Sequence, residues 1–208
     1  VQTQNKQKIF SEKTGISSHK MMIIPFFKKL DSETRTQGLA VRKIENSFLY
    51  LGTGEPHKNH KRLIDAFCLF YDKYKIGVLT LSVDLEYPEI YNYILEKTKC
   101  QYPIHNLGYI SHRKKVAEEY AKAQFLIFPS LKESLGLPLI ESLEFKCKIL
   151  AANYDYVKEV CIPSYEFNPL DSLEIYKAFE VACFEKKLPE SISCITNEIV
   201  KLIAIIIK

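Results

Sequence analysis

The chain has 208 residues, 47% apolar and 26% charged, which is the balance of an ordinary soluble globular domain with a short attached segment. Its formal net charge of +4, from 29 basic against 25 acidic residues, is small and scattered; that argues against a nucleic-acid surface and leaves mild attraction to anionic ligands or lipid. The six cysteines (Cys68, Cys100, Cys147, Cys161, Cys183 and Cys194) form no C-x-x-C pair, so they read as reduced structural thiols of a cytosolic protein rather than a metal site.

The sequence opens at Val1 with no secretory signal, as a fragment or trimmed form would. Gln4 to Thr14 reads as a polar helix ended by Gly15. Met21 to Phe27 is a short strand-like run, and Lys28 to Lys43 is polar without period. Residues 1–46 are therefore expected to be the tail of a preceding domain plus a linker. From Ser47 onward short apolar runs alternate with segments of helical period. The runs Phe48–Gly52, Val78–Val83, Ile104–Tyr109, Phe125–Pro129 and Lys148–Ala152 read as strands. The helices are expected over Lys61–Tyr74, Tyr87–Lys99, Arg113–Ala123, Pro138–Phe145 and Ser172–Phe184. In the first of these, Leu63, Ile64, Phe67, Phe70, Tyr71 and Tyr74 recur at steps of three and four, one apolar face. Strands apolar throughout and separated by helices require cover on both faces, so residues 47–190 are predicted to form a doubly wound α/β domain with a parallel sheet. The final run, Ile195 to Ile207, is interrupted by Asn197, Glu198 and Lys201 and is too short for a spanning helix, which needs about 20 apolar residues.

In a sheet of this kind ligands lie beyond the carboxyl ends of the strands, so the loops there carry the chemistry. One such loop is Gly52-Thr-Gly54-Glu-Pro-His57-Lys58-Asn-His60-Lys61-Arg62. Its glycines permit a tight turn, and Lys58, Lys61 and Arg62 add charge beside a helix N-terminus, itself favourable to anions. A phosphate site is one reading; a solvated basic helix start is the other. The third glycine of a dinucleotide fingerprint is replaced by His57, and no P-loop pattern occurs. The second loop follows Phe125–Pro129 and carries Glu133, then Gly136-Leu137-Pro138 at a helix start, then Glu141 one turn inside. Both carboxylates can face one crevice, with free helix amides between them suited to a diphosphate. His19, His105 and His112 have no partner at ligand spacing, and His57 and His60 read as loop or surface residues.

The E-x7-E pair Glu133 and Glu141, in the setting Phe-Pro-Ser-x-x-Glu-Ser-x-Gly-Leu-Pro-x-x-Glu, resembles the signature of the family-4 retaining glycosyltransferases of two-domain GT-B fold. Three further stretches agree in order. Tyr50 to Phe67 resembles the phosphate-loop region of the bacterial surface-polysaccharide branch, Leu107 to Ser111 the base-binding turn, and Tyr154 to Asp171 the closing segment. The resemblance covers about residues 47–185 and identifies the chain as similar to the C-terminal, donor-binding half of such an enzyme.

The resemblance implies the following roles. Glu133 holds hydroxyls of the donor sugar, and is the residue assigned to catalysis. Glu141 holds the ribose. Amides of Ser134, Leu135, Gly136 and Leu137 line sugar and phosphates, and Tyr109 and Ile110 present backbone to the base. Lys58 neutralises the leaving diphosphate without a metal or cofactor, with Lys61 or Arg62 standing in for an arginine that many members carry where this chain has Thr53. The donor implied is a UDP- or GDP-sugar and the acceptor a glycan or lipid-linked glycan, at the cytoplasmic side of the membrane. The acceptor-binding N-terminal domain is expected to be missing, so the chain is expected to bind donor but turn over slowly. Residues 191–208 are expected to be a helix crossing to that domain through Ile195, Ile199, Leu202, Ile203 and Ile206, with packing on its own sheet or docking on anionic lipid as the other readings. The rivals are a non-catalytic nucleotide-sugar-binding or partner-docking module and an unrelated nucleotide-binding α/β protein such as a dehydrogenase.

Overall fold

Strand β1 (Ile44–Tyr50) shows why the sheet had to be parallel: Phe48, Leu49 and Tyr50 are all buried, so both faces need helices over them. In the computed structural model, which describes residues 1–207, β1 lies inside a six-stranded sheet with β2 (Val78–Leu81), β3 (Ile104–Asn106), β4 (Ala123–Phe128), β5 (Lys148–Ala152) and, beyond the short β6 (Cys161–Ile162), β7 (Tyr165–Phe167). The order is β3-β2-β1-β4-β5-β7 and every pairing is parallel. Strand order reverses between β1 and β4, and a crevice opens beyond their carboxyl ends. β6 pairs antiparallel with β8 (Ile192–Ser193) as a separate small ladder.

The helices are α1 (Gln4–Thr14), α2 (Ser32–Leu39), α3 (His60–Tyr74), α4 (Pro88–Lys99), α5 (Arg113–Lys122), α6 (Leu137–Glu144), α7 (Asp155–Lys158), α8 (Ser172–Phe184) and α9 (Ile199–Ile206). α3 and α8 cover β1 with an aromatic cluster: the Phe48 ring stacks on Phe125 at 5.1 Å and meets Phe179 edge-on at 4.7 Å. Such pairs add about 0.5–1.5 kcal/mol each beyond area burial.

Three sequence expectations need correction. Met21–Phe27 forms no strand; Ile24 instead donates to the Val1 carbonyl at 2.8 Å, and Asn197 grips Phe27 from both sides, with Phe27 N donating at 3.4 Å and Asn197 Nδ2 donating to the Phe27 carbonyl at 2.6 Å. The stretch Lys28–Lys43 holds a helix, α2, capped by the Asp31 carboxylate accepting from Thr34 N at 2.8 Å. β1 starts at Ile44, inside the stretch assigned to the linker, because Ser47 Oγ takes over the pairing: it donates to Ile44 O at 2.6 Å and accepts from Gln124 N at 2.8 Å. α1 matches expectation, with Thr3 at its start and Gly15 ending it at φ 71°. α9 has no buried residue; Val200 is 75% and Ile206 72% exposed. No helix among the described residues is long and apolar enough to cross a membrane.

Candidate functional site

The loop after β1 and the loop after β4 are laced together by a main-chain bond and by the buried Asn59 side chain, and His60 braces the first loop from within. Asn59, in the left-handed region at φ 62°, donates through Nδ2 to the carbonyls of Pro129 at 3.2 Å and Pro169 at 2.7 Å. Leu131 N donates to His57 O at 2.7 Å. His60 bonds the Thr53 carbonyl through Nε2 at 2.8 Å, and burial pushes its pKa down to about 4, so the ring is a neutral strut. Gly54 is required here, since a Cβ at that position would overlap the Tyr87 side chain. The loop after β1 is thus held by structure on every side.

This lacing brings Lys58 and Glu133 together. Lys58 Nζ lies 2.8 Å from Glu133 Oε1, with side chains only 15% and 10% exposed. The same carboxylate oxygen accepts from Ser130 Oγ at 2.6 Å. The Tyr50 hydroxyl lies 2.8 Å from Ser130 Oγ and 3.0 Å from the Lys58 carbonyl, while Tyr156 donates to the Ser130 carbonyl at 2.6 Å. Burial drives both tyrosine pKa values upward, so both remain neutral donors. A charge pair this dry needs such partners, because an unsatisfied lone pair at low dielectric is costly.

Beyond the pair, Gly136 takes φ 74° and starts α6 with no side-chain cap; Pro138 has no N–H and Leu139 N donates to Gly136 O at 2.9 Å, which leaves the Leu137 amide available to an anion. Lys58, Glu133, Ser134, Leu135, Gly136 and Leu137 all line one cavity of about 1020 Å³. Its opposite wall is Phe26, Phe27, Asn197 and Val200, and Lys28, Lys29 and Arg113 add positive charge. Glu141 sits one turn into α6, its carboxylate 3.2 Å from Arg113 Nη2. Burial raises its pKa and Arg113 opposes that rise. Tyr109 stands 75% exposed in the β3–α5 loop after Gly108 at φ 65°, with Ile110 partly buried beside it.

Lys61 stands apart from this group. Its ammonium lies 5.5 Å from the centre of the Tyr93 ring and lines a separate cavity with Asp65 and Tyr87. Arg62 lines that same cavity and donates to Asn59 Oδ1 at 2.9 Å. Sequence reasoning did not single out Ser130, Tyr50 or Arg113. Only Arg113 left a signal: a cation in the first turn of a helix opposes the macrodipole and calls for a counter-charge, here Glu141. Among the described residues no cluster of three or more His, Cys, Asp or Glu side chains is placed to hold a metal ion.

Residues 31–166, spanning the sheet from β1 to β5 and both carboxylates, match the family Glycosyl transferases group 1. The chain belongs to that family. Over 190 residues this group 1 domain is 23% identical to the O-antigen chain mannosyltransferase RfbU of Salmonella typhimurium, covering 90% of the chain and 50% of that protein. It is 27% identical over 123 residues to O-antigen chain mannosyltransferase B of Escherichia coli, covering 54% of the chain and 30% of that protein. The chain therefore spans half or less of these curated relatives. Its fold is that of the C-terminal, Rossmann-like domains of GT-B glycosyltransferases. The C-terminal domain of the group 1 protein LpcC from Francisella tularensis superposes with a TM-score of 0.59 at 18% identity, over 78% of this chain and 87% of that one. Anabaena HepE, solved with UDP and glucose, gives 0.68 at 15% identity over 90% and 53%.

Proposed function

We propose that this group 1 domain is the donor-binding half of a family-4, retaining glycosyltransferase that moves a hexose from a UDP- or GDP-sugar to a glycan or lipid-linked glycan in O-antigen or capsule assembly. The observation that carries the reading is the Lys58–Glu133 pair at 2.8 Å on the wall of the crevice beyond β1 and β4. A diphosphate entering beside α6 meets the Leu137 amide and the Lys58 ammonium, which supply the positive charge a leaving diphosphate requires. As Lys58 turns to the phosphate, Glu133 accepts sugar hydroxyls while Ser130 keeps it oriented. Glu141 accepts the two ribose hydroxyls, and the main chain at Tyr109 and Ile110 meets the base. In the transfer step the bond from the anomeric carbon to the phosphate oxygen breaks. The acceptor oxygen attacks from the same face, and its proton passes to the departing phosphate, so configuration is retained.

In the GT-B arrangement the acceptor enters between two lobes, so residues 1–208 alone are proposed to bind donor and turn over slowly, with assembly at the inner face of the cytoplasmic membrane. Calorimetry with UDP, GDP and their sugar conjugates on the wild type and on Glu141→Ala tests the reading. It is supported by binding of one nucleotide that the variant weakens about tenfold or more, the loss expected for hydrogen bonds to a charged group. If the folded protein binds none of them, the donor assignment fails.

A further inference from the structure

Arg113 lines the donor cavity, yet none of the roles above uses it. Through one nitrogen, Nη2, it reaches Glu141 Oε1 at 3.2 Å and donates to the main-chain carbonyl of Lys28, also at 3.2 Å. Lys28 belongs to the segment that walls the cavity opposite α6. One guanidinium thus joins the carboxylate to the facing wall. We propose that Arg113 is the positioning residue of the donor site: it aims Glu141 into the crevice and couples it to the main chain at Lys28. The proposal rests on the reading of Glu141 as the ribose carboxylate.

The surroundings of Glu141 show why it needs such a partner. Its side chain is 20% exposed. The groups facing it are Arg113 and Tyr120 from α5 and Glu144 on its own helix. Tyr120 is fully buried, and its hydroxyl makes no hydrogen bond of good geometry among the described residues. Burial and the like charge of Glu144 favour the protonated carboxyl; Arg113, and to a lesser degree Tyr120, favour the ionised one. Ionisation matters because a carboxylate accepts from both hydroxyls of a ribose diol, whereas a carboxylic acid must spend one oxygen as a donor. Arginine suits the task better than lysine: it stays charged, and the two hydrogens of Nη2, fixed in the guanidinium plane, serve both acceptors without rotation.

Arg113 is 44% exposed at its side chain, so its removal leaves the core intact. The test has two arms on the full chain. Side-chain carboxyl ¹³C NMR, with Glu141→Gln for assignment, follows the titration of Glu141 without nucleotide in the wild type, Arg113→Ala and Arg113→Lys. The midpoint is expected to move to higher pH in Arg113→Ala and to return part of the way in Arg113→Lys. Calorimetry across pH then follows nucleotide affinity. In Arg113→Ala it is expected to fall about tenfold near neutrality, with the acid limb displaced upward alongside the NMR midpoint. An unmoved midpoint overturns the proposal. So does an affinity loss equal at every pH, since that is the mark of a direct contact to the ligand. If the midpoint moves while the wild type binds no nucleotide, the pairing stands and the donor reading fails.

Discussion

Replacing Lys58 with methionine separates what the Lys58–Glu133 pair does for the fold from what it does for a ligand. At 2.8 Å the two charges attract by about 6 kcal/mol at an effective dielectric near 20. Most of that attraction only offsets the cost of drying both groups, so the pair adds little net stability. Breaking it is different, because Glu133 stays 10% exposed with Ser130 as its one neighbouring hydroxyl. Truncating one partner of a buried pair costs about 3–5 kcal/mol. The cavity beside Glu133 admits water, which places this case at the lower end, about 3 kcal/mol. Neutralising the carboxylate as well, in Lys58→Met/Glu133→Gln, removes the orphaned charge and should recover more than half of that loss. Urea unfolding of the four proteins of the cycle measures the stabilities, and calorimetry with the nucleotide diphosphate measures binding. The double variant is expected to be nearly as stable as the wild type and to bind diphosphate at least tenfold more weakly. A Lys58→Met protein as stable as the wild type would refute the reasoning, because Glu133 would then be solvated enough to need no partner.

Three further outcomes follow from the packing and the buried histidine. His60 has a pKa near 4 when folded against about 6.5 when unfolded, so the unfolded chain takes up the proton first. Its contribution is fully present above about pH 6.5 and is lost as pH falls towards 4, by roughly 3 kcal/mol in all; His60→Gln should flatten urea-derived stability across that window. Phe48→Ala removes the ring shared by Phe67, Phe70, Phe125 and Phe179 and should cost about 3–5 kcal/mol by thermal or urea melting. Gly136→Ala places a side chain at φ 74° with Leu139 Cδ1 3.0 Å from the new Cβ; about 1–2 kcal/mol of stability should go, with a matching loss of nucleotide affinity in calorimetry.

The parts of the fold that were readable in sequence are those where one local rule decides the outcome. α3 and α8 carry an apolar face repeated over several turns, and α1 ends on a glycine in the left-handed region. α2 went unseen because it docks through an absence: Gly38 lets the helix lie against the Phe145 ring and Ala121, where a Cβ would overlap Phe145. The closing strand β7 is three residues long and pairs only through Leu150, Ala151 and Ala152, so its identity is a property of β5 rather than of its own sequence. The candidate site divides along the same line. Glu133, Lys58 and the segment Ser134–Leu137 lie in loops with marked composition, and the structure gathers them around one cavity. Lys61 shares that composition but lies inside α3 with its ammonium over the Tyr93 ring, whereas Lys58 precedes the helix in the loop.

The walls of the cavity beside α6 also tie distant parts of the chain together. Three segments meet there: the β4–α6 loop, the Phe26–Lys29 stretch, and Asn197 to Val200 near the end of the chain. Asn197 binds Phe27 through both donor and acceptor, and Glu198 N donates to the Pro25 carbonyl at 2.7 Å. Arg113 then joins Lys28 to Glu141. The Pro25–Lys28 segment and the Asn197–Glu198 segment are therefore fastened to each other and, through one guanidinium, to the carboxylate of Glu141. A shift of the Pro25–Lys28 segment that moves the Lys28 carbonyl moves the acceptor of Arg113. Substituting Asn197, which lines the cavity wall facing α6 and has no ligand role in the proposed reading, with leucine should accordingly weaken nucleotide binding by a few fold while leaving the Phe48 core and its melting cooperativity intact. Unchanged affinity in Asn197→Leu would show that the terminal clasp and the donor site are independent.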